Sequence, residues 1–267
     1  MVFLKNTIKK YYPNFFFILK NIYYFFFNWG FLILFYNKKK DLDYNESLLK
    51  HYYSDINEVK FLLKSNNLNY HNDQISWHYH LFAFLKYNFE KKKNIKILEI
   101  GTFLGEFTLF LSKIFLDSKI TTIDLEDKEN EYISNPNKTE KIKKRNANLN
   151  KKNINPLKFN SIYLHEKIKD ELFDLIWIDG DHLNPQVTLD IFSCLKILKT
   201  DGFICVDDIC IDKIPNSKMV SNESYKTLQY LEKLEILCNN YLLKRIRARN
   251  LVEKKYISIS KLKQRLY

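Results

Sequence analysis

Four ionisable residues stand directly after two short apolar runs and could do chemistry together. Asp179 and His182 follow the run Phe173–Ile178, and the pair Asp207 and Asp208 follows the next such run. If the two runs are neighbouring parallel strands, their carboxyl ends meet at one edge of a sheet, and the three acids converge there. Carboxylates crowded in this way repel one another unless a cation, a proton or a buried partner offsets their charge.

Carboxylate oxygens with open coordination positions suit Mg²⁺, which keeps waters or substrate oxygens in its shell. The sequence therefore predicts a Mg²⁺ held by Asp179, Asp207 and Asp208, which would lower the pKa of a bound hydroxyl and orient its oxygen. Asp207 and Asp208 could instead cap a following helix or pair with lysines such as Lys213. His182, of a residue type whose pKa is ordinarily about 6.5, is the candidate base beside Asp179. The alternative for His182 is a hydrogen-bonding or orienting contact to the substrate.

A turn that contains two glycines predicts a nucleoside site. The segment Glu99-Ile100-Gly101-Thr102-Phe103-Leu104-Gly105 ends an earlier apolar run, and Asp124 ends the next one. A dinucleotide fingerprint requires glycine where Phe103 stands, because the backbone must approach a pyrophosphate. S-adenosylmethionine has no phosphates and no such requirement. Asp124 is then placed to accept hydrogen bonds from the ribose hydroxyls of that ligand.

The elements that position these residues follow from apolar runs that alternate with helical patterns. Strands are predicted at 95–100, 120–125, 157–160, 173–178 and 203–206, and helices at 106–115, 139–149 and 185–198. A helix near 223–238 and strands near 241–247 and 255–260 follow. The alternation predicts βαβ units. The expected fold class is therefore a doubly wound α/β fold with a mostly parallel, seven-stranded Rossmann-like sheet and a helical region before it.

The order and spacing of these segments resemble the class I S-adenosylmethionine-dependent methyltransferases. Within that class they most resemble the small O-methyltransferases of the catechol and caffeoyl-CoA type and their bacterial relatives. The resemblance covers residues 95 to about 210. It rests on Glu99-x-Gly101-x-x-x-Gly105, Thr122-Ile123-Asp124, the run from Phe173 to His182 and the run from Leu198 to Asp208; Ile178-Asp179-Gly180-Asp181-His182 is the most specific part.

The resemblance implies S-adenosylmethionine as cofactor and a role for each matching residue. Glu99 and Gly101 would meet the methionine moiety, Asp124 the ribose, and Ser161 the adenine. The full cofactor set that we predict is Glu99, Gly101, Thr102, Phe103, Gly105, Asp124, Ser161 and Asp179. In metal-dependent members Mg²⁺ is held at the positions of Asp179, Asp207 and Asp208. This chain departs from that pattern twice, since Asp208 replaces an asparagine and His182 replaces a catalytic lysine.

The amino-terminal part of the chain has a different character. Residues 1–40 are predicted to form a hydrophobic, aromatic arm, 41–94 a helical cap, and 95–267 the methyltransferase domain. The stretch 15–36 is almost wholly apolar between flanking lysines, but Lys20 and its tyrosines make it a poor membrane span. The pattern favours a helix in the membrane interface, or an arm packed on the domain or on a second copy in a homodimer.

Composition limits the function classes. With 46% hydrophobic and 16% aromatic residues the chain is not disordered. Its four cysteines have no Cys-x-x-Cys spacing, which favours a reducing, cytoplasmic location, with membrane association through 15–36 as the alternative. The net charge of +12 is spread over scattered lysine runs, so no nucleic-acid partner is expected.

The expected function is O-methylation of a small-molecule hydroxyl by S-adenosylmethionine, assisted by Mg²⁺. One alternative is a nucleic-acid methyltransferase, suggested by the charge and by Lys244, Arg245, Arg247 and Arg249, but no Asn-Pro-Pro-Tyr-type segment follows the fourth strand. Another is a membrane-surface module that binds a nucleoside without turnover. The acid cluster argues against that module, since a binder needs no such charges.

Overall fold

A computed structural model of the protein describes residues 38–68, 70, 77–130, 137–169, 171–211, 222–248 and 252–264. The stretch 15–36, for which membrane contact was predicted, lies outside the described residues. The chain is divided into two compact units. The first consists of Met1–Tyr44 and Ile246–Glu253, and the second of Asn45–Arg245 and Lys254–Tyr267. Every candidate site residue belongs to the second unit. Within the described ranges, no helix has both the length and the apolar character needed to cross a membrane.

The helices are α1 (Lys38–Lys50), α2 (Ile56–Ser65), α3 (His78–Asn88), α4 (Glu106–Ile114), α5 (Lys138–Leu149), α6 (Leu164–Lys167), α7 (Gln186–Ile197) and α8 (Glu223–Lys233). The strands are β1 (Lys96–Ile100), β2 (Lys119–Asp124), β3 (Ile154–Lys158), β4 (Phe173–Ile178), β5 (Leu198–Ile209), β6 (Leu237–Ala248) and β7 (Val252–Leu262).

The strands form one seven-stranded sheet in the order β3-β2-β1-β4-β5-β7-β6. The first five strands in this order are parallel, and β7 runs antiparallel to β5. The predicted doubly wound α/β fold is thus confirmed. Because the order reverses between β1 and β4, the carboxyl ends of these two strands border the crevice in which such sheets bind ligands.

Both faces of the sheet are buried by side chains that alternate along each strand. On one face Ile176 and Ile178 of β4 share an apolar cluster with Val187 and Ile191 of α7. On the other face Trp177 meets the ring of Phe82 on α3, with ring centroids 5.4 Å apart. This packing explains why β4 is apolar from Leu175 to Ile178, and it fixes α3 above the centre of the sheet.

Several boundaries differ from those predicted, and β5 in particular spans Leu198–Ile209 rather than 203–206, so that Asp207 and Asp208 lie within it. Strand β3 begins at Ile154 rather than 157, although Asn155 and Pro156 are typical of turns. Proline is tolerated there because β3 is an edge strand, where the missing N–H faces no partner. Helix α8 ends at Lys233 rather than near 238, since Glu235 adopts a left-handed φ of 58° and the chain turns into β6.

Gly101 brings the ends of β1 and β4 into backbone contact. A Cβ atom at this position would lie 2.2 Å from the carbonyl oxygen of Asp179, and the φ of Gly101 is +98°. The Asp179 N–H donates to the carbonyl of Ile100 at 2.8 Å, and the Gly101 N–H donates to the carbonyl of Ile123 at 2.9 Å. Only glycine permits both the close approach and the backbone conformation.

Gly101→Ala is expected to lower the free energy of unfolding by about 2 kcal/mol or more, because the new methyl group would force β1 and β4 apart. Gly180→Ala is the matched control, since its Cβ would meet only the Ile100 side chain at 3.3 Å and the Asp190 carboxylate at 3.7 Å. Urea unfolding of both variants measures the difference. Equal stability of the two variants would contradict the role given to Gly101.

Candidate functional site

The turn after β1 is held by its own backbone and by β2. The Gly105 N–H donates to the carbonyl of Thr102 at 2.8 Å, and the hydroxyls of Thr102 and Thr122 are 2.6 Å apart. Phe103 has a left-handed φ of 47°, and its side chain is 45% exposed. Phe103 occupies the position at which a dinucleotide fingerprint has glycine. Its backbone therefore has a conformation typical of glycine, even though its side chain is a large ring.

Asp124 at the end of β2 is tied to this turn. Its Oδ2 accepts from the Phe103 N–H at 2.8 Å, and its Oδ1 accepts from the Leu125 N–H at 2.8 Å and from the Asn130 amide at 2.9 Å. Burial raises the pKa of Asp124, although these hydrogen bonds oppose the shift. A carboxylate offers about four lone pairs, so one on Oδ2 is left for a ribose hydroxyl.

Glu99 lies beneath the turn and is 1% exposed. Its Oε2 accepts hydrogen bonds from the hydroxyls of Thr108 and Thr122, both at 2.5 Å. Burial raises the pKa of Glu99 to about 7, against the effect of these two hydroxyls. The structure thus shows Glu99 supporting β2 and α4, and its predicted contact with the methionine moiety stays a prediction.

Ser161 follows β3 and is 9% exposed. Its hydroxyl accepts from the Gln186 amide at 2.8 Å, and the same amide nitrogen donates to Asp190 at 2.8 Å. Asn160 before it accepts from the Ile162 N–H at 3.1 Å and so starts the short helical turn 161–163. The contact of Ser161 with adenine remains a prediction, and Gln186 orients the hydroxyl that would make it.

The second half of the site is built on a bulge in β5. The ladder to β7 shifts register between Val206 and Ile209, so that Asp207 and Asp208 stand opposite the single residue Ile257. Asp208 has a left-handed φ of 49°, a conformation that aspartate and asparagine tolerate better than most residues. Bulges of this kind redirect side chains. Here both carboxylates are brought to the same buried lysine.

Lys244 of β6 and Lys255 of β7 pair with the two carboxylates. The Lys244 ammonium contacts Asp207 Oδ2 and lies 2.9 Å from Asp208 Oδ1, while the Lys255 ammonium contacts Asp208 Oδ2. Burial opposes ionisation of both acids, but the ammonium groups outweigh it, so the pKa values of Asp207 and Asp208 are lowered. Burial likewise opposes ionisation of Lys244, yet the carboxylates raise the pKa of its ammonium.

This arrangement does not fit the predicted Mg²⁺. The Lys244 ammonium already contacts both carboxylates, which is where a bridging cation would bind. Mg²⁺ usually keeps several waters, yet Asp207 is only 1% exposed and its Oδ1 is buried. Among the described residues, no group of three or more His, Cys, Asp or Glu side chains could hold a metal. Among the described residues, the partner that offsets Asp207 and Asp208 is the pair Lys244 and Lys255; Lys213, which the sequence suggested, lies outside the described residues.

Asp179 and His182 border this cluster. His182 Nε2 lies 3.7 Å from Asp179 Oδ1 and 3.9 Å from Asp208 Oδ2. Burial lowers the pKa of His182 in spite of the nearby carboxylates, so its imidazole is neutral at neutral pH. Burial and the charge of Asp207 raise the pKa of Asp179. The side chain of His182 remains 24% exposed, so a neutral base is accessible at this edge of the sheet.

His78 and Tyr79 of α3, Phe107 of α4 and Trp177 of β4 form an aromatic cluster, called the aromatic wall here. The His78 ring is 4.6 Å from that of Phe107 and 5.6 Å from that of Trp177, and Tyr79 is 5.4 Å from Phe107. Burial, with the charges of Glu106, Glu99 and Asp179, raises the pKa of Tyr79 to about 12, so its phenol is neutral. The sequence does not predict this wall, because only the packing of α3 on the sheet brings His78 and Tyr79 next to Phe107 and Trp177.

Most of the predicted residues fall into two groups that the Gly101–Asp179 contact joins. One group surrounds the β1 turn, and the other surrounds the ends of β4 and β5; Glu99 lies beneath the first group. The sequence did not predict that Lys244 and Lys255 pair with the acids, nor did it predict the aromatic wall. The first group is Gly101, Thr102, Phe103, Gly105 and Asp124, and the second is Asp179, His182, Asp207 and Asp208.

Residues 98–209 match a family model described as a methyltransferase domain. Over this segment the chain is therefore similar to methyltransferase domains. The segment contains all of the predicted site residues and supports S-adenosylmethionine as the cofactor of the chain. The two lysines that pair with its acids lie beyond the matched residues. A comparison with the curated proteins finds no match.

Similar solved structures include an O-methyltransferase from Bacillus cereus in complex with SAH (18% identity, 82% of this chain and 97% of that chain, TM-score 0.46). The O-methyltransferase TomG from Streptomyces achromogenes, involved in tomaymycin synthesis, is 12% identical (78% and 89%, TM-score 0.46). An rRNA methylase from Streptococcus thermophilus is 11% identical (64% and 89%, TM-score 0.45). These three structures do not indicate which acceptor this chain would take.

Glu99→Gln is expected to stabilise the protein more at about pH 8 than at about pH 5, by about 1–3 kcal/mol. Between the ordinary pKa of 4.5 and the folded value of about 7, the unfolded chain has lost the Glu99 proton while the folded chain keeps it. The wild type therefore loses stability as the pH rises through this window, and glutamine does not titrate. Urea unfolding at both pH values measures the difference. An equal gain in Glu140→Gln, an exposed control on α5, would contradict the assignment.

Proposed function

We propose that the protein transfers the methyl group of S-adenosylmethionine to a hydroxyl oxygen of a small molecule. The observation that supports this most strongly is the backbone contact between Gly101 and Asp179. It keeps the turn that would bind the cofactor next to the segment that carries a neutral imidazole. A methyl donor and a base held side by side have the arrangement that hydroxyl methylation requires.

The cofactor would lie along the turn after β1, with its ribose at Asp124 and its adenine toward Ser161. This position leaves the sulfonium methyl pointing toward the ends of β4 and β5. Asp124 retains acceptor capacity for a ribose hydroxyl, as its hydrogen-bond count indicates.

In the proposed reaction the acceptor oxygen attacks the sulfonium methyl carbon from the side opposite sulfur. The new O–C bond forms as the C–S bond breaks, and the bonding electron pair goes to sulfur, which leaves as the neutral thioether of S-adenosylhomocysteine. The acceptor hydroxyl gives its proton to the neutral imidazole of His182. Because His182 has a lowered pKa, it is ready to accept this proton at neutral pH.

A small acceptor is favoured over a nucleic acid by the position of the basic residues. Lys244, one of the four residues that suggested a nucleic-acid surface, is 6% exposed and paired with Asp207 and Asp208. It offers no charge to a phosphate backbone. The half-buried rings of His78, Tyr79 and Phe107 would instead suit the flat or apolar body of a small molecule.

Asp124→Ala is expected to weaken S-adenosylmethionine binding by about tenfold to a hundredfold, the usual effect of losing a hydrogen bond to a charged group. Asp117→Ala removes an exposed carboxylate before the other end of β2 and is the matched control. Calorimetric titration in the presence of EDTA measures both affinities. If the wild type gives no binding heat, the proposed function fails; if both variants bind like the wild type, the cofactor site lies elsewhere.

Transfer of a labelled methyl group to a panel of phenols, sugars and other alcohols, beside RNA and DNA, tests the acceptor class. His182→Gln should retain cofactor affinity but lose most of the transfer, because it removes the proton acceptor alone. Label that enters RNA or DNA and no small hydroxyl compound would contradict the proposed acceptor.

A further inference from the structure

The last two strands of the sheet supply two buried cations to the acid edge. Lys244 is 6% exposed and Lys255 is 2% exposed, so neither ammonium group is hydrated as a surface lysine is. Removing a lysine from water costs several kcal/mol unless its partners have good geometry. An apolar residue would fill these positions at lower cost, so the two ammonium groups have a role tied to Asp207 and Asp208.

We propose that the Lys244 ammonium, supported by Lys255, permanently occupies the cation position between Asp207 and Asp208 and makes this methyltransferase site independent of divalent metal ions. The inference rests on the proposed function and deepens it, since it concerns how the same acid edge is neutralised. Lys244 and Lys255 are positioning residues here, because they act on the acceptor through the two carboxylates.

The charges and contacts within the cluster support this replacement. Two ammonium groups face two carboxylates, so the Lys244–Lys255–Asp207–Asp208 cluster is neutral without any added ion. Lys244 spans the two acids as a bridging metal would, and both oxygens of Asp208 contact an ammonium group. A divalent ion would have to displace two internal cations from a buried position before it could bind.

The replacement limits the class of acceptor. A metal ion with open positions can hold two adjacent oxygens of a substrate, as a pair of neighbouring hydroxyls provides. Lys244 has three N–H donors, and two are engaged by Asp207 and Asp208, so it cannot hold two substrate oxygens as a metal ion does. The acceptor is therefore a molecule with a single reacting hydroxyl, for which a second adjacent hydroxyl gives no advantage.

Manganese binding, followed by the electron paramagnetic resonance signal of free Mn²⁺, tests the inference directly. The full-length wild type is expected to leave the signal unchanged at millimolar Mn²⁺. Lys244→Ala leaves both acids short of one cation, and it is expected to gain saturable Mn²⁺ binding together with a rise in Tm on Mn²⁺ addition. Lys244→Arg, which keeps the charge, and Lys263→Ala, which removes an exposed lysine directly after β7, should behave like the wild type.

Saturable Mn²⁺ binding by the wild type that Asp207→Asn abolishes would overturn the inference. A folded Lys244→Ala variant that binds no Mn²⁺ would also overturn it, since the ammonium would then not stand at a cation position. If the Lys244→Ala variant does not fold, the Mn²⁺ titration of the wild type alone decides whether the inference holds. Cofactor titration of the wild type in EDTA, run in parallel, separates the two claims, because loss of cofactor binding contradicts the proposed function and leaves the Mn²⁺ result intact.

Discussion

The contact between Gly101 and the Asp179 carbonyl is the constraint on which the site depends. Any side chain at Gly101 would meet this carbonyl at 2.2 Å, so the two neighbouring strands can end side by side only with glycine there. The Asp179 N–H then pairs with the carbonyl of Ile100, and the Gly101 N–H pairs with that of Ile123. Three strand ends are thereby fixed at one edge, and the turn after β1 is held next to Asp179.

A second feature concentrates charge at the same edge. The bulge in β5 places Asp207 and Asp208 together in a backbone conformation that costs energy, and it buries Asp207 almost completely. Such a pair is stable only because Lys244 and Lys255 reach it from the antiparallel end of the sheet. The two strands that lie outside the matched methyltransferase segment thus complete the electrostatics of the segment itself.

Much of this architecture could be predicted from the sequence. Strand β4 is apolar from Leu175 to Ile178, glycines mark the turns, and the acids lie at or near strand ends, so the sequence predicted the parallel part of the sheet and the convergence of Asp179 with Asp207. The two lysines that neutralise Asp207 and Asp208 could not be predicted in the same way. Lys244 lies 37 positions after Asp207, and Lys255 lies 47 after Asp208, so only the antiparallel return of the chain brings them together.

The aromatic wall and the start of the edge strand β3 could not be predicted from the sequence, for related reasons. His78 and Tyr79 show no ligand spacing, and their position near the site follows from the packing of α3 on Trp177. Pro156 resembles a turn residue in sequence but lies within β3, where the open edge of the sheet accepts it. In each case tertiary packing decides the role of a residue whose neighbours in sequence give no sign of it.

A crystal structure of the protein soaked with S-adenosylhomocysteine and Mn²⁺, with data collected at the manganese absorption edge, tests the central claim most directly. The account predicts nucleoside density along the turn from Gly101 to Asp124 and no anomalous peak between Asp207 and Asp208, where the Lys244 ammonium should stand. A manganese peak at that position, or a nucleoside bound on another surface, would contradict it.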